Sequence, residues 1–115
     1  MKTQSLGQAA EDLAANHLQK QGFTIVARNY RYQRAEVDII VQKQKLLVFT
    51  EVKARSNDQF GHPEDFVTPQ QQTLIHAAAE DYILAQQWDE AIRFDIIAVF
   101  KRNGQMQLTH FEDAF

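Results

Sequence analysis

Three extended segments follow one another in the first half of the chain, and they constrain the fold more than any other feature. They span Phe23 to Tyr32, Ala35 to Gln42 and Leu46 to Ala54, and each is rich in β-branched and aromatic residues. Because only a few polar residues separate the second segment from the third, these two are predicted to form an antiparallel hairpin. Both contain few polar residues, which indicates a central sheet covered by helices on both sides.

Two segments with helical spacing of apolar residues flank these strands. The first runs from Leu6 to about Gln21, with Ser5 opening a Ser-x-x-Gln capping box and Gly22 at the left-handed position that ends many helices. The second begins after Thr68, its predicted N-cap, and runs to about residue 87. These two segments are the predicted helices of the chain.

The C-terminal part of the sequence predicts two further strands. One spans Ile92 to Phe100, and after an Asn103-Gly104 turn another lies around Met106 to His110. The predicted order is therefore αβββαββ, an α/β fold. The second helix serves as a crossover that allows the strand before it and the strand after it to be parallel. The length of 115 residues predicts one domain, residues 1–115.

Composition excludes several classes of function. The chain has no cysteine, which excludes a disulfide framework, a thiolate zinc site and a cysteine nucleophile. No apolar window reaches the roughly 18 residues of a membrane span, and the first residues lack the apolar run of a secretory signal. We expect a cytoplasmic protein with no membrane partner.

The formal net charge of -3 hides a partition along the chain. Residues 20–55 contain eight basic and three acidic side chains, a net charge of +5, whereas the residues after 55 are mainly acidic. A segregated charge pattern is equally typical of a solvated surface and of a face that binds phosphates. Charge alone therefore does not decide between these interpretations.

Three acids and a lysine interrupt the apolar pattern of the predicted hairpin. If the hairpin turns at residues 44 and 45, Asp38 lies opposite Glu51 and Glu36 lies opposite Lys53. A slip of one residue would place the acids on opposite faces, whereas a shift of two would keep them together. Strand alternation further predicts two sets of side chains on the second strand, with Val37, Ile39 and Val41 on one face and Glu36, Asp38 and Ile40 on the other.

Two carboxylates opposite each other on a hairpin destabilise the sheet unless something compensates their charge. Either one acid binds a proton or a cation lies between them, and oxygen ligands favour Mg²⁺ or Mn²⁺. The alternative is an ordinary surface network in which Glu51 and Lys53 pair with Glu36 at a solvated strand end. The apolar residues 46–49 favour a buried strand, where charges usually have a purpose.

Two stretches of the hairpin resemble a known nuclease pattern. Residues 35–40 (AEVDII) and 48–55 (VFTEVKAR) resemble the Asp…Glu-x-Lys signature of the PD-(D/E)xK nuclease superfamily. Within it the chain is similar to the bacterial YraN-like family, uncharacterised proteins related in fold to archaeal Holliday-junction resolvases. The likeness extends from Gly7 to Asp95.

The resemblance implies a restriction endonuclease-like three-layer core, here with one additional strand. By position it implies that Asp38 and Glu51 are catalytic metal ligands, with Glu11 as a further ligand, and that Lys53 is the catalytic lysine. It also implies that the backbone carbonyl of Val52 coordinates the metal ion and that the cofactor is Mg²⁺ or Mn²⁺.

The chain departs from the family pattern at two positions. Ala35 replaces a glycine, and Gln71 replaces a lysine that could contact phosphate. Glu36 is a secondary site residue, and His62 and His76 are further candidates for a base or ligand. The candidate nucleic-acid contacts are Arg28, Arg31, Arg34, Arg55 and Gln71.

Three functions are compatible with these patterns. The first hypothesis is a metal-dependent nuclease acting on DNA, with branched or irregular structures among its candidate substrates. The second is a non-catalytic nucleic-acid-binding protein that retains the nuclease fold, and the third is a protein-interaction module that uses the acidic C-terminal half. Because many resolvase-like enzymes are dimers, a homodimer is one arrangement that the resemblance leaves open.

Overall fold

The structure is a computed structural model that describes residues 4–56 and 66–115, and its elements follow the predicted order αβββαββ. Residues 57–65, which include the candidate His62, lie outside the described residues. The elements are α1 (Leu6–Lys20), β1 (Thr24–Tyr32), β2 (Ala35–Lys43), β3 (Leu46–Arg55), α2 (Pro69–Gln86), β4 (Ala91–Arg102) and β5 (Gln105–Phe111).

The five strands form one mixed sheet and lie in it in chain order. Neighbouring strands are antiparallel except β3 and β4, which are parallel. The α2 helix connects these two strands, so the predicted crossover is confirmed. A parallel connection needs about a dozen residues or more, and α2 supplies them.

The two helices cover opposite faces of the sheet, as predicted. On the α1 face, Leu18 of the helix packs in one buried cluster with Val48 and Ile97. On the α2 face, Ile75 packs in a second cluster with Phe49 and Ile96. Each strand of the hairpin is therefore buried on both sides, which explains its nearly continuous apolar sequence.

The helix ends follow the sequence signals with one exception. Thr68 and Gln71 form both hydrogen bonds of a capping box, at 3.1 and 2.9 Å. At α1, Ser5 Oγ accepts from the Gln8 N–H, but the Gln8 side chain donates to Asp12 instead of closing a second box. The first capping box is therefore only half formed.

The hairpin has the predicted register. Ile39 pairs with Thr50 and Val41 with Val48, as that register requires, and the regular ladder ends at the pair of Ile39 and Thr50. Gln44 has a φ of 54°, which is the left-handed backbone that a tight turn requires at this position.

The predicted alternation of side chains along β2 is wrong at Asp38. Val37 packs on the α2 face, but Ile39 packs on the α1 face and Ile40 on the α2 face. On the neighbouring strand the left-handed Asn29 (φ 52°) lies between residues paired with Ile39 and Val37. A left-handed residue turns the side chains that follow it on its own strand to the opposite face of the sheet. The side chains of the paired strand change face at the same position.

Candidate functional site

Four carboxylates converge at the end of the sheet where β2 begins and β3 approaches its last residues. Asp38 is the centre of the group, because its charge acts on both Glu11 and Glu51, and Glu36 acts on Glu51 as well. Lys53 adds one positive charge beside Glu51. We call these four acids the acid cluster: Glu11 from α1, Glu36 and Asp38 from β2, and Glu51 from β3.

The side chains of Asp38 and Glu51 form a hydrogen-bonded pair. Burial raises the pKa of Glu51 to about 9, and the hydrogen bond and the charge of Asp38 contribute to the same shift, which Lys53 only partly opposes. The second oxygen of Asp38, Oδ2, accepts a hydrogen bond from the Val52 N–H at 2.7 Å. A raised pKa is expected where two carboxyl groups occupy a shared site.

Asn29 joins two acids of the cluster, a role that the sequence interpretation missed. Its Nδ2 donates to Glu11 Oε1 at 3.1 Å and to Glu36 Oε1 at 3.0 Å. Burial raises the pKa of Glu11, the Asp38 charge adds to the shift, and the bonds from Asn29 and Arg28 oppose it. The available signal was an asparagine inside a predicted strand, where this residue type is uncommon.

Two members of the acid cluster have the donor atoms that a hard divalent cation prefers. Asp38 and Glu51 supply carboxylate oxygens, which Mg²⁺ and Mn²⁺ prefer. In the parts of the chain that the structure describes, no three acidic or histidine side chains are arranged around one point as a metal site. Glu11 instead faces Asn29 and Arg28, so it does not join the pair as a third donor in this conformation.

The candidate arginines differ in their surroundings. Arg28 pairs with Asp12 at 2.9 Å and lies 3.6 Å from Glu11, and Arg31 pairs with Glu36 at 3.2 Å. Each of these two arginines is therefore paired with a carboxylate in this structure. Their positive charge in the sequence is therefore offset locally.

Arg34 and Gln71 line a cleft of about 160 Å³ together with Glu36 and Glu51. Gln71 also takes part in the capping box of α2, where its side-chain oxygen accepts a hydrogen bond from the Thr68 N–H. Leu74 of α2 is 36% exposed and lines the same cleft. The cleft gives the acid cluster access to solvent on the α2 face.

Arg55 and His76 lie against aromatic rings. The Arg55 guanidinium lies 5.9 Å from the centre of the Phe66 ring and donates to the carbonyl of Ala54. The His76 ring packs on Phe94 with ring centres 4.4 Å apart. These contacts give both side chains a packing role on the α2 face.

A second buried polar group lies under α1, away from the acid cluster. The carboxylate of Asp95, which is fully buried, accepts from His110 Nε2 at 2.7 Å and from Arg93 at 2.8 and 2.9 Å. The other ring nitrogen of His110 lies 3.1 Å from His17 Nε2. Burial, together with the neighbouring His110, lowers the pKa of His17.

Burial alone would raise the pKa of Asp95, but the hydrogen bonds from His110, Arg93 and the Asp113 N–H lower it. Neither His17 nor His110 was identified as a site residue from the sequence. Neither helix of the described residues is long and apolar enough to cross a membrane.

Comparison with known proteins identifies the family. Residues 10–99 match the model of the family described as uncharacterised protein family UPF0102. A UPF0102 protein of Flavobacterium psychrophilum is 47% identical over 110 residues, which cover 96% of this chain and 92% of the relative. Another of Flavobacterium johnsoniae is 44% identical over 114 residues, covering 96% and 93%. The predicted YraN-like assignment is confirmed, and the chain belongs to the uncharacterised protein family UPF0102.

Proposed function

We propose that this protein is a Mg²⁺- or Mn²⁺-dependent nuclease that hydrolyses phosphodiester bonds in DNA, with branched or irregular structures among its substrates. One observation carries the proposal: Asp38 and Glu51 form a partly buried carboxyl pair next to Lys53. Two carboxyl groups held together at the end of a buried strand cost stability, and such sites are usually functional.

Each residue of this site has a distinct role in the proposal. Asp38 and Glu51 would hold the cation once the shared proton leaves, and Glu11 would reach it after releasing Asn29. The cation supplies Lewis acidity toward the phosphate and lowers the pKa of a bound water. Lys53 stabilises the developing negative charge or positions the water.

The cleft on the α2 face provides the approach for the nucleic acid. Arg34 lines this cleft together with Glu36 and Glu51, so its guanidinium is a candidate phosphate contact there. Arg55 follows Lys53 on the same strand and would extend the contact along the backbone. Arg28 and Arg31 would contribute by exchanging their carboxylate partners for phosphates.

A non-catalytic nucleic-acid-binding protein is the second candidate. The orientation of Glu11 toward Asn29 and Arg28 favours it, because a two-carboxylate site binds a cation more weakly than a site with three. In either case we propose a cytoplasmic protein whose residues 1–115 act as one domain, and we include a homodimer among its states.

Cleavage assays distinguish the two candidates. The purified protein is incubated with linear, single-stranded and four-way-junction DNA in Mg²⁺ or Mn²⁺, beside Asp38→Ala, Lys53→Ala and the control Lys101→Ala, an exposed lysine on β4. Cleavage lost in the first two variants and kept in the control supports the nuclease. Binding without cleavage supports the second candidate, and cleavage that survives Asp38→Ala contradicts the proposed site.

A further inference from the structure

A basic cleft lies at the end of the sheet opposite the acid cluster. Its volume is about 590 Å³, and its charged lining comprises Lys43, Lys45 and Arg93 against one acid, Glu112. These four side chains have a summed formal charge of +2, of which the Arg93 charge is offset by the carboxylate of Asp95 behind it. We use the name basic cleft for the space bounded by these four side chains.

Lys43 is held in place at the cleft by the residues that end α1. Its Nζ donates to the carbonyl of Gln21 at 2.8 Å and lies 5.3 Å from the centre of the Phe23 ring. Its side chain crosses Gly22, where an added Cβ would lie 3.4 Å from Lys43 Cε. An ammonium group has three donors, so two remain after the bond to Gln21.

Arg93 is held even more firmly. Its Nε and Nη2 donate to the fully buried carboxylate of Asp95, at 2.8 and 2.9 Å. Its Nη1 lies 3.7 Å from Glu112, a distance too long for a strong hydrogen bond. The guanidinium is therefore oriented before any ligand arrives, and a ligand oxygen needs only to displace the exposed Glu112.

We infer that the basic cleft is a binding site for a phosphate group, separate from the acid cluster. A phosphate group is negatively charged at neutral pH, about -2 as a monoester and -1 as a backbone diester, and Lys43 and Lys45 supply the complementary charge. It also accepts hydrogen bonds from several directions at once, which suits two fixed cations and the exposed Lys45. Lys43 lies five residues beyond Asp38 on β2, about 17 Å away, so one phosphate cannot occupy both sites.

The inference does not depend on nuclease activity, because it concerns binding without a divalent cation. Two sources supply the same chemistry: a phosphate of a nucleic-acid backbone, and a small phosphorylated molecule. Both would place phosphate oxygens between Lys43 and Arg93. The experiment below separates them.

The test is a titration of ¹⁵N-labelled protein with inorganic phosphate in EDTA, compared with sodium chloride at equal ionic strength. We expect phosphate-specific shifts of the amides at residues 21–23, 43–46 and 93. The double variant Lys43→Gln/Lys45→Gln should bind phosphate at least about tenfold more weakly, whereas Lys101→Gln should bind like the wild type. Equal shifts in the two salts, or unchanged binding by the double variant, would overturn the inference.

Two further measurements keep the test decisive. Lys45→Gln alone, at an exposed side chain, should weaken phosphate binding without affecting the end of α1. Displacement of phosphate by a ten-nucleotide single strand without terminal phosphates assigns the site to a nucleic-acid backbone. Displacement by adenosine monophosphate alone assigns it to a small phosphorylated molecule, and displacement by neither contradicts a phosphate ester as the ligand.

Discussion

The carboxylate of Asp38 accepts a hydrogen bond from the backbone N–H of Val52 at 2.7 Å. The regular ladder between β2 and β3 extends to the pair of Ile39 and Thr50, so this side chain provides the next link between the strands. Asp38 therefore connects the two strands of the hairpin and also forms the carboxyl pair with Glu51.

Replacing Asp38 separates these two roles. Asp38→Asn keeps an oxygen that can accept from Val52 but has no charge, so the variant should fold almost as well as the wild type. Asp38→Ala leaves the Val52 N–H without its partner, which should lower Tm by several degrees. Both variants should lose metal-dependent cleavage by about 100-fold or more. Equal Tm values for the two variants would contradict the structural role.

Glu51→Gln should stabilise the protein at neutral pH. The folded-state pKa of Glu51 is raised to about 9, so its contribution to the free energy of unfolding is complete below about pH 4.5 and is lost as the pH rises toward 9. Glutamine has no such pH dependence. We expect Tm of the variant to exceed that of the wild type by roughly 5 °C at pH 7 and to match it near pH 4. Thermal unfolding of both proteins from pH 4 to pH 7 checks the sign of this difference in Tm.

Cation binding to the Asp38–Glu51 pair should release a proton. Glu51 is protonated at pH 7.5 because its pKa lies near 9, and it must ionise to bind Mn²⁺. Calorimetry in Tris and in Pipes should report roughly one proton released per bound cation. Burial is the main cause of this raised pKa, and the Asp38 charge adds to it, so Asp38→Asn should reduce the release. Equal heats in both buffers would argue against this site.

Lys53 should be needed for cleavage and not for folding. It is partly exposed, so Lys53→Gln should leave Tm within about 2 °C of the wild type. Cleavage should fall by about 100-fold, because the charge beside Glu51 is lost. Lys101→Gln is the matched control for removing a lysine and should cleave normally. A Lys53→Gln variant with full activity would remove this lysine from the proposed chemistry.

Acid should destabilise the contact between α1 and β5. The folded-state pKa of His17 is lowered by burial and by His110. Neutral His17 therefore contributes stability above about pH 6.5, and this contribution is lost as the pH falls. His17→Gln should reduce the decline of Tm between pH 7 and pH 5, and a variant with the wild-type slope would contradict this assignment.

The architecture was predictable because its signals are local. A short polar connection determined the hairpin register, and the apolar runs of β2 and β3 indicated burial on both faces. The Thr68-Pro69 start of α2 was read correctly for the same reason, since the capping residues lie within one turn. The acids of the cluster were also found locally, as charges that interrupt these runs.

The missed features depend on residues that are distant in the sequence. His17 and His110 are 93 positions apart, and strand patterns give no indication that they meet. Asn29 takes a left-handed conformation while its amide bonds α1 and β2, which breaks the alternation predicted for Asp38. Arg28 was interpreted as a phosphate contact. In the structure it pairs with Asp12 of α1, and residue spacing alone does not show which strand residue an acid of α1 will meet.

The α1 helix is attached to the sheet by polar contacts to both edge strands as well as through its apolar face. Glu11 bonds Asn29 of β1, and His17 bonds His110 of β5, so one helix joins the two outermost strands of the sheet. The two attachments are six residues apart, about 9 Å along the helix axis. Neither a rotation nor a slide of α1 can preserve both. The amides of α1 should therefore exchange with solvent at the rate of the central strands, and motions of Glu11 should be confined to its side chain.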